Sequence, residues 1–455
     1  MKPRLPPVVP NNRRILQRGK FRNNPPAIVA SSFLLLIIIG GLILKTPWAT
    51  TQPISWLAAF FTATSAVTVT GLTVIDTGTS YTLFGQWTLI VLMQCGGVGL
   101  MTFAIFALLL MGERLSIHHQ LLMTEALNQN GLQNVVRIAK EVVVYALVIE
   151  AIGLFLLSVC WIPEKGWSAG LFYALFHTVS AFNNAGFGLE PDNIVRYVGH
   201  TGVNLTLSGL FIIGGLGFSV LMDIRENRRF QTLRVHTKIM LVGTLVLNIV
   251  AMLLFFMLEY GNPATLGKLP GLWEQLLASW FQAVTPRTAG FNSLDMAGLT
   301  DGSILLFILL MFIGAGPSST ASGIKLSTAV VLLLATRAFL QRQDHVVAFG
   351  RNINQESIIK ALAVTVCLAA CVFITLLLLT VTEHKPFLDV AFEVVSAYGT
   401  VGLSRGLTPQ LSETGQLLIM VSMFLGRIGP LSLGFILATP KKEGIRYADT
   451  QVQIG

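Results

Sequence analysis

The sequence predicts an all-α integral membrane protein whose eight spans form four span–loop–span repeats. Three observations carry the prediction: sparse charge, apolar runs of spanning length, and one short motif that recurs four times. The 455 residues are 53% hydrophobic and only 12% charged, with a mean hydropathy of +0.69. Soluble chains carry about 25% charged residues. A hydrocarbon layer about 30 Å thick needs about 20 consecutive apolar residues, and this chain supplies such runs repeatedly.

The candidate spans are 27–45, 85–111, 141–161, 204–222, 238–258, 303–340, 357–381 and 416–437. Their orientation follows from Lys and Arg. With the N-terminus inside, 22 of the 31 basic residues fall on the cytoplasmic side and seven on the other, while Lys325 and Arg427 stay within spans. That asymmetry sets topology by the positive-inside rule and places both termini in the cytoplasm. Residues 1–26 are basic and Pro-rich, and no small-residue cleavage pattern follows them, so they are expected to be a retained tail; residues 438–455 form a second one.

The net charge of +9 sits in short segments between apolar runs, a pattern of membrane orientation, so no nucleic-acid partner is expected. Cys95, Cys160, Cys367 and Cys371 lie in apolar stretches without zinc spacing and read as packing residues.

The repeated motif lies between successive pairs of spans. Its copies are Phe61-TATSAVTVT-Gly71-Leu72, Phe176-HTVSAFNNA-Gly186-Phe187, Trp280-FQAVTPRTA-Gly290-Phe291 and Phe392-EVVSAYGTV-Gly402-Leu403. Each opens on an aromatic residue, reaches glycine ten positions later and continues with Leu or Phe. One such glycine is an ordinary helix stop. Four in register define an internal repeat. The segments are too short to cross, and irregular backbone at membrane depth is tolerated only when buried in protein or lining a water-filled path. They are therefore read as re-entrant pore helices with extended returns. Four helix C-termini aimed at one axis present about two negative charges, and backbone carbonyls turned to that axis can replace a cation's hydration shell. The predicted architecture has eight transmembrane helices and four pore helices around one pseudo-fourfold central pore.

Those residues carry a resemblance. Thr68-Val69-Thr70-Gly71-Leu72 is similar to a degraded potassium-channel filter. The fourfold plan, together with Pro286-Arg287-Thr288-Ala289-Gly290-Phe291, resembles the Trk/Ktr/HKT superfamily of potassium transporters over about residues 27–438. Eight spans without an additional N-terminal pair are most similar to the membrane subunit of the bacterial Ktr branch. The resemblance implies a K+ selectivity filter at Val69, Thr70, Gly71, Asn184, Ala185, Gly186, Thr288, Ala289, Gly290, Thr400, Val401 and Gly402. Only the first repeat keeps a fully channel-like stretch, which implies fewer well-formed sites than in a tetrameric channel. Arg287 is expected to point away from the axis, held by a carboxylate such as Asp295 or Glu393.

The sixth candidate span has 38 residues, with Gly314-Ala315-Gly316-Pro317-Ser318-Ser319-Thr320-Ala321-Ser322-Gly323 at its centre. Proline and three glycines break helix there. The stretch reads as a flexible plug below the filter, and the resemblance implies a gating loop at this place. Arg427 lies deep in the last span, where an ionisable residue is a functional candidate. Either it pairs with Glu150, midway along the third span, or it lines the pore and holds the loop, with Lys325 nearby; the family's arginine in its last helix favours the second.

The repeats are assigned as 27–111, 141–222, 238–340 with the loop 314–323, and 357–437. No P-loop, zinc motif, nucleophile elbow or paired carboxylates appear, so an enzyme is not expected and transport must follow an electrochemical gradient. The resemblance further implies sodium-dependent K+ uptake, a homodimer with one pore per chain in membrane lipid, and a cytoplasmic ring of KtrA-type nucleotide-binding subunits against loops 112–140, 223–238 and 337–360. The alternatives are an alternating-access K+/Na+ symporter of the wider Trk type and an intramembrane enzyme.

Overall fold

In a computed structural model of the protein, residues 25–99 and 135–429 are described. The ends of the second and last predicted spans, most of the loop after the second span, most of the N-terminal tail and all of the C-terminal one lie outside the described residues. The longer helices are α1 (Pro25–Leu44), α2 (Trp56–Val67), α3 (Leu83–Gly97), α4 (Val135–Lys165), α5 (Trp167–Phe182), α6 (Thr201–Leu216), α7 (Phe218–Glu226), α8 (Val235–Glu259), α9 (Leu272–Val284), α10 (Asp301–Phe312), α11 (Leu326–Leu340), α12 (Gln355–Thr382), α13 (Phe387–Gly399) and α14 (Glu413–Ile428). Among the described residues the only strands form a hairpin of two-residue strands, Val347–Ala348 with Arg351–Asn352.

Among the described residues three helices, Ala139–Lys165, Val235–Glu259 and Gln355–Thr382, are individually long and apolar enough to cross a membrane. Their outward faces carry Leu147, Phe155, Leu253, Val366 and Phe373, each more than half exposed or nearly so. Burial concentrates instead in four short helices: in α2, α5 and α13 the C-terminal halves are buried continuously, and in α9 with the one interruption of Trp280, although these segments carry Thr, Ser and Gln. Many of their polar side chains bond to carbonyls one turn earlier, as Thr62, Thr64 and Ser279 do to Ala58, Phe60 and Gln275 at 2.9, 2.8 and 2.7 Å.

Helix starts after three of the four glycine segments use short polar caps, which satisfy amide groups that a helix leaves unpaired, and the remaining one uses His200. Thr82, Thr300 and Ser412 accept from Gly85, Ser303 and Gly415 amides at 3.3, 3.4 and 3.1 Å. Two of these caps are reinforced by carboxylates from the preceding long helix. Glu259 accepts from the Thr300 amide at 2.9 Å, and Glu383 from the Ser412 amide at 3.0 Å.

The predicted fourth span is not one helix. α6 and α7 meet at 90° at Gly217, whose φ of 99° is a left-handed value that glycine adopts without penalty. The sixth span breaks where the sequence predicts: α10 and α11 are separated by irregular residues 313–325, closed by a bridge between Ile313 and Ile324. Gly99 and Gly429 also have positive φ at the ends of α3 and α14. Gly-x-x-Gly sequences at 96–99, 214–217 and 426–429 thus lie where α3, α6 and α14 end.

Candidate functional site

The four predicted glycines meet in a ring. A Cβ atom placed on Gly71 would lie 2.5 Å from the Ala185 carbonyl oxygen, and one on Gly186 would lie 3.0 Å from that of Ala289. A Cβ on Gly290 would overlap the Val401 oxygen, and one on Gly402 the Thr70 oxygen. Each glycine therefore abuts the residue before the next glycine, and the fourth segment closes on the first. Any side chain at these positions would collide with backbone that cannot move aside.

The backbone conformation repeats as well. Val69, Asn184, Thr288 and Thr400 have φ of 49°, 57°, 72° and 47°, and the glycines two positions later have 92°, 71°, 79° and 91°. Left-handed torsions at alternate residues turn successive carbonyls to one side of the strand. For β-branched Val69, Thr288 and Thr400 this is strained, about 1–3 kcal/mol each, and strain of this kind gathers at functional sites. Hydrogen bonds hold it: the amides of Thr70, Ala185, Ala289 and Val401 donate to carbonyls of Ser65, Ser180, Thr285 and Ser396 at 2.8, 2.7, 3.0 and 2.9 Å.

Side-chain hydroxyls of these same four residues fasten the return strands. Ser65 and Ser396 accept from the Gly71 and Gly402 amides at 3.0 and 3.1 Å. Ser180 and Thr285 donate to the carbonyls of Phe187 and Phe291 at 2.8 and 2.5 Å. The sequence reasoning missed this set. The signal was present as serine four residues after the aromatic in three copies, displaced by one position, as Thr285, in the third.

Arg287 departs from expectation in its partner. No carboxylate among the described residues holds it; Nη1 donates to Asn248 Oδ1 at 2.9 Å and Nη2 to Thr244 Oγ1 at 3.4 Å, both on α8. The side chain thus turns toward α8, away from the ring. Glu393 instead accepts from Ser404 at 2.8 Å and from Thr408, bracing its own return strand, and Asp295 accepts from the Ala297 amide at 3.0 Å.

Residues 313–325 pack against the ring's second segment. Thr320 Oγ1 donates to Asn184 Oδ1 at 3.2 Å, and Asn184 Nδ2 donates to Thr288 Oγ1 at 3.2 Å. The Gly316 amide donates to the Gly215 carbonyl at 2.7 Å, and the Phe218 amide, first in α7, donates to the Ser318 carbonyl at 2.9 Å. The loop therefore sits in the angle of the α6–α7 bend. A Cβ at Gly217 would overlap the Pro317 oxygen.

Arg427 reaches the loop and not Glu150. It donates through Nη1 to the Thr320 carbonyl and, at 3.4 Å, to Ser322 Oγ, and through Nη2 to the carbonyls of Gly96 and, at 3.3 Å, Gly97. It ties α14, α3 and the loop together. Lys325 Nζ donates to the Ala321 carbonyl at 2.8 Å. Glu150 is occupied elsewhere, accepting from Gln94 Nε2 at 3.1 Å and Asn183 Nδ2 at 3.2 Å.

Long apolar helices packed about a closed ring of glycine backbones, with an irregular loop against it, define an all-helical protein of the integral-membrane type. The chain belongs to the TrkH family, described as cation transport protein, which it matches over residues 21–443. It is 51% identical over 416 residues to Ktr system potassium uptake protein B of Bacillus subtilis, covering 91% of this chain and 93% of that one. The Vibrio alginolyticus protein of the same name is 47% identical over 418 residues, 91% of each chain. Potassium/sodium uptake protein NtpJ of Enterococcus hirae is 36% identical over 426 residues, 91% of this chain and 94% of that one. The crystal structure of the potassium transporter TrkH from Vibrio parahaemolyticus shares the fold, with a TM-score of 0.73 at 20% identity, over 94% of this chain and 87% of that one.

Proposed function

We propose that the chain is the potassium-translocating subunit of a Ktr-type uptake system in a bacterial cytoplasmic membrane, with both termini cytoplasmic. The closed ring of Gly71, Gly186, Gly290 and Gly402 carries this reading. In it, the segments Val69–Gly71, Asn184–Gly186, Thr288–Gly290 and Thr400–Gly402 form the filter, and their carbonyls replace water around K+. The repeats 27–111, 141–222, 238–340 and 357–437 each supply one quarter. Residues 314–323 are the gate, held by Arg427 and Lys325, whose charges also oppose a cation leaving the filter.

The ion runs down its gradient: a cation entering a membrane 100 mV negative inside gains about 2.3 kcal/mol. Homology supports a partner subunit, proposed as a cytoplasmic KtrA-type nucleotide-binding ring acting on a homodimer, and Na+ as an activating or co-transported ion. The test is K+ uptake by potassium-depleted cells lacking their own transporters, with this chain alone or with its partner, and with or without Na+. Saturable uptake is expected, increased by deleting part of 314–323. Absence of uptake from well-expressed protein with its partner present overturns the reading. Flux that stays slow after the deletion favours alternating access instead.

A further inference from the structure

Arg287 is a charge without a counter-charge. Only 6% of the residue is exposed, and no carboxylate among the described residues pairs with it. Its two bonded partners on α8, Asn248 and Thr244, are neutral and themselves buried. Nε has no hydrogen-bond partner. An uncompensated buried charge is strongly destabilising, and an ionisable residue kept inside a membrane-type helix bundle is a functional candidate.

The corresponding positions in the other quarters, three residues before each glycine, are Thr68, Asn183 and Gly399. Thr68 Oγ1 and Asn183 Nδ2 donate back to carbonyls of their own helices, those of Thr64 and Val179, at 2.7 and 2.9 Å. Gly399 has no side chain to bond. Ending one of these helices therefore needs no charge. Arg287 alone is charged, and it leaves its own helix to reach α8.

What the charge does follows from its place. It stands one residue before Thr288, in the turn that follows α9, where its amide donates to the Val284 carbonyl at 3.1 Å. A helix C-terminus carries about half a negative charge, and a guanidinium in the next turn offsets that share. Buried charges are screened far less than exposed ones, so the offset extends to the neighbouring carbonyls of Thr288 and Ala289. A cation in the ring is then held less tightly by the third quarter than by the others. Conduction needs binding strong enough to admit an ion and weak enough to release it.

We propose that Arg287 sets the ring's affinity for cations, its charge weakening their binding at the third quarter so that they leave readily. The inference rests on the ring's being the cation-binding site. A remote charge acts alike on ions of equal charge, so it changes affinity for K+ and Rb+ by one factor and leaves the choice between them unaltered.

The experiment is calorimetric titration of KCl or RbCl into the full-length protein in lipid nanodiscs, with choline chloride holding the ionic strength constant. Arg287→Gln should tighten binding of both ions by the same factor, about threefold to tenfold. Asn248→Asp retains the acceptor at 2.9 Å and adds the missing counter-charge, so it should also tighten binding, and it decides the matter should Arg287→Gln not fold. A side chain that merely braces the strand gives the opposite sign, since its loss distorts the carbonyls and weakens binding. Unchanged or weaker K+ binding in Asn248→Asp, or in folded Arg287→Gln, overturns the proposal, as does a shift for K+ alone. The ring reading stands through that failure if Gly290→Ser still weakens K+ binding. Unaltered K+ binding in Gly290→Ser overturns the ring as the binding site, and this inference with it.

Discussion

Arg427 and Thr320, 107 residues apart, are joined by a hydrogen bond from the guanidinium to the Thr320 carbonyl oxygen. The same side chain grips Gly96 and Gly97, so one residue clamps the loop to a neighbouring helix. A hydrogen bond involving a charged group contributes about 1.5–3 kcal/mol, and each 1.4 kcal/mol is about tenfold in an equilibrium. Arg427→Ala should therefore raise K+ flux in proteoliposomes about tenfold or more. Unchanged flux from protein reconstituted at the same density would mean that the clamp does not limit permeation.

Gly290→Ser should raise the KM for K+ about tenfold and reduce discrimination against Na+, with a smaller effect on maximal rate. The added Cβ would overlap the Val401 oxygen and lie 3.0 Å from Gly186 Cα, distorting two adjoining quarters of the ring. Competition between K+ and Na+ during uptake measures this, and an unaltered KM would count against the ring as the binding site.

Gly217→Ala attacks the seat of the loop. A non-glycine residue in the left-handed region costs about 1–2 kcal/mol, and the new methyl would displace Pro317. The expected result is raised basal flux with an unchanged KM. A raised KM would instead indicate that the bend acts on the ring.

Glu383→Gln should lower stability by about 1–3 kcal/mol while leaving the KM for K+ as it is. Its carboxylate accepts from both the amide and the hydroxyl of Ser412, strengthening the start of α14 far from the ring. Thermal unfolding and uptake on the same protein check both halves of the prediction.

The ring was legible in the sequence because its requirement is covalent: only glycine has no Cβ, and four glycines in register show where four backbones converge. The loop was legible because ten small residues cannot sustain a helix. The bend at Gly217 was harder to see. It lies in an apolar run, and a single glycine there is equally compatible with a straight helix. The strain at Val69, Thr288 and Thr400 was invisible, since β-branched residues favour extended backbone and only the surrounding hydrogen bonds force them elsewhere. Charge partners were the least legible: Arg287 takes Asn248 and Thr244, and Arg427 takes carbonyls. Backbone oxygens are available at every position and leave no mark in composition.

The closure of Gly402 upon Gly71 has a consequence for biogenesis. The segments that complete the ring lie near opposite ends of the chain, so its last joint cannot form until nearly the whole polypeptide has been inserted. Until residue 402 has been made, a nascent chain carries at most three quarters of the ring, and its loop still lacks Arg427. Arg427 follows the glycine that completes the ring by only 25 residues, so the side chain that clamps the loop is made almost together with the closed ring.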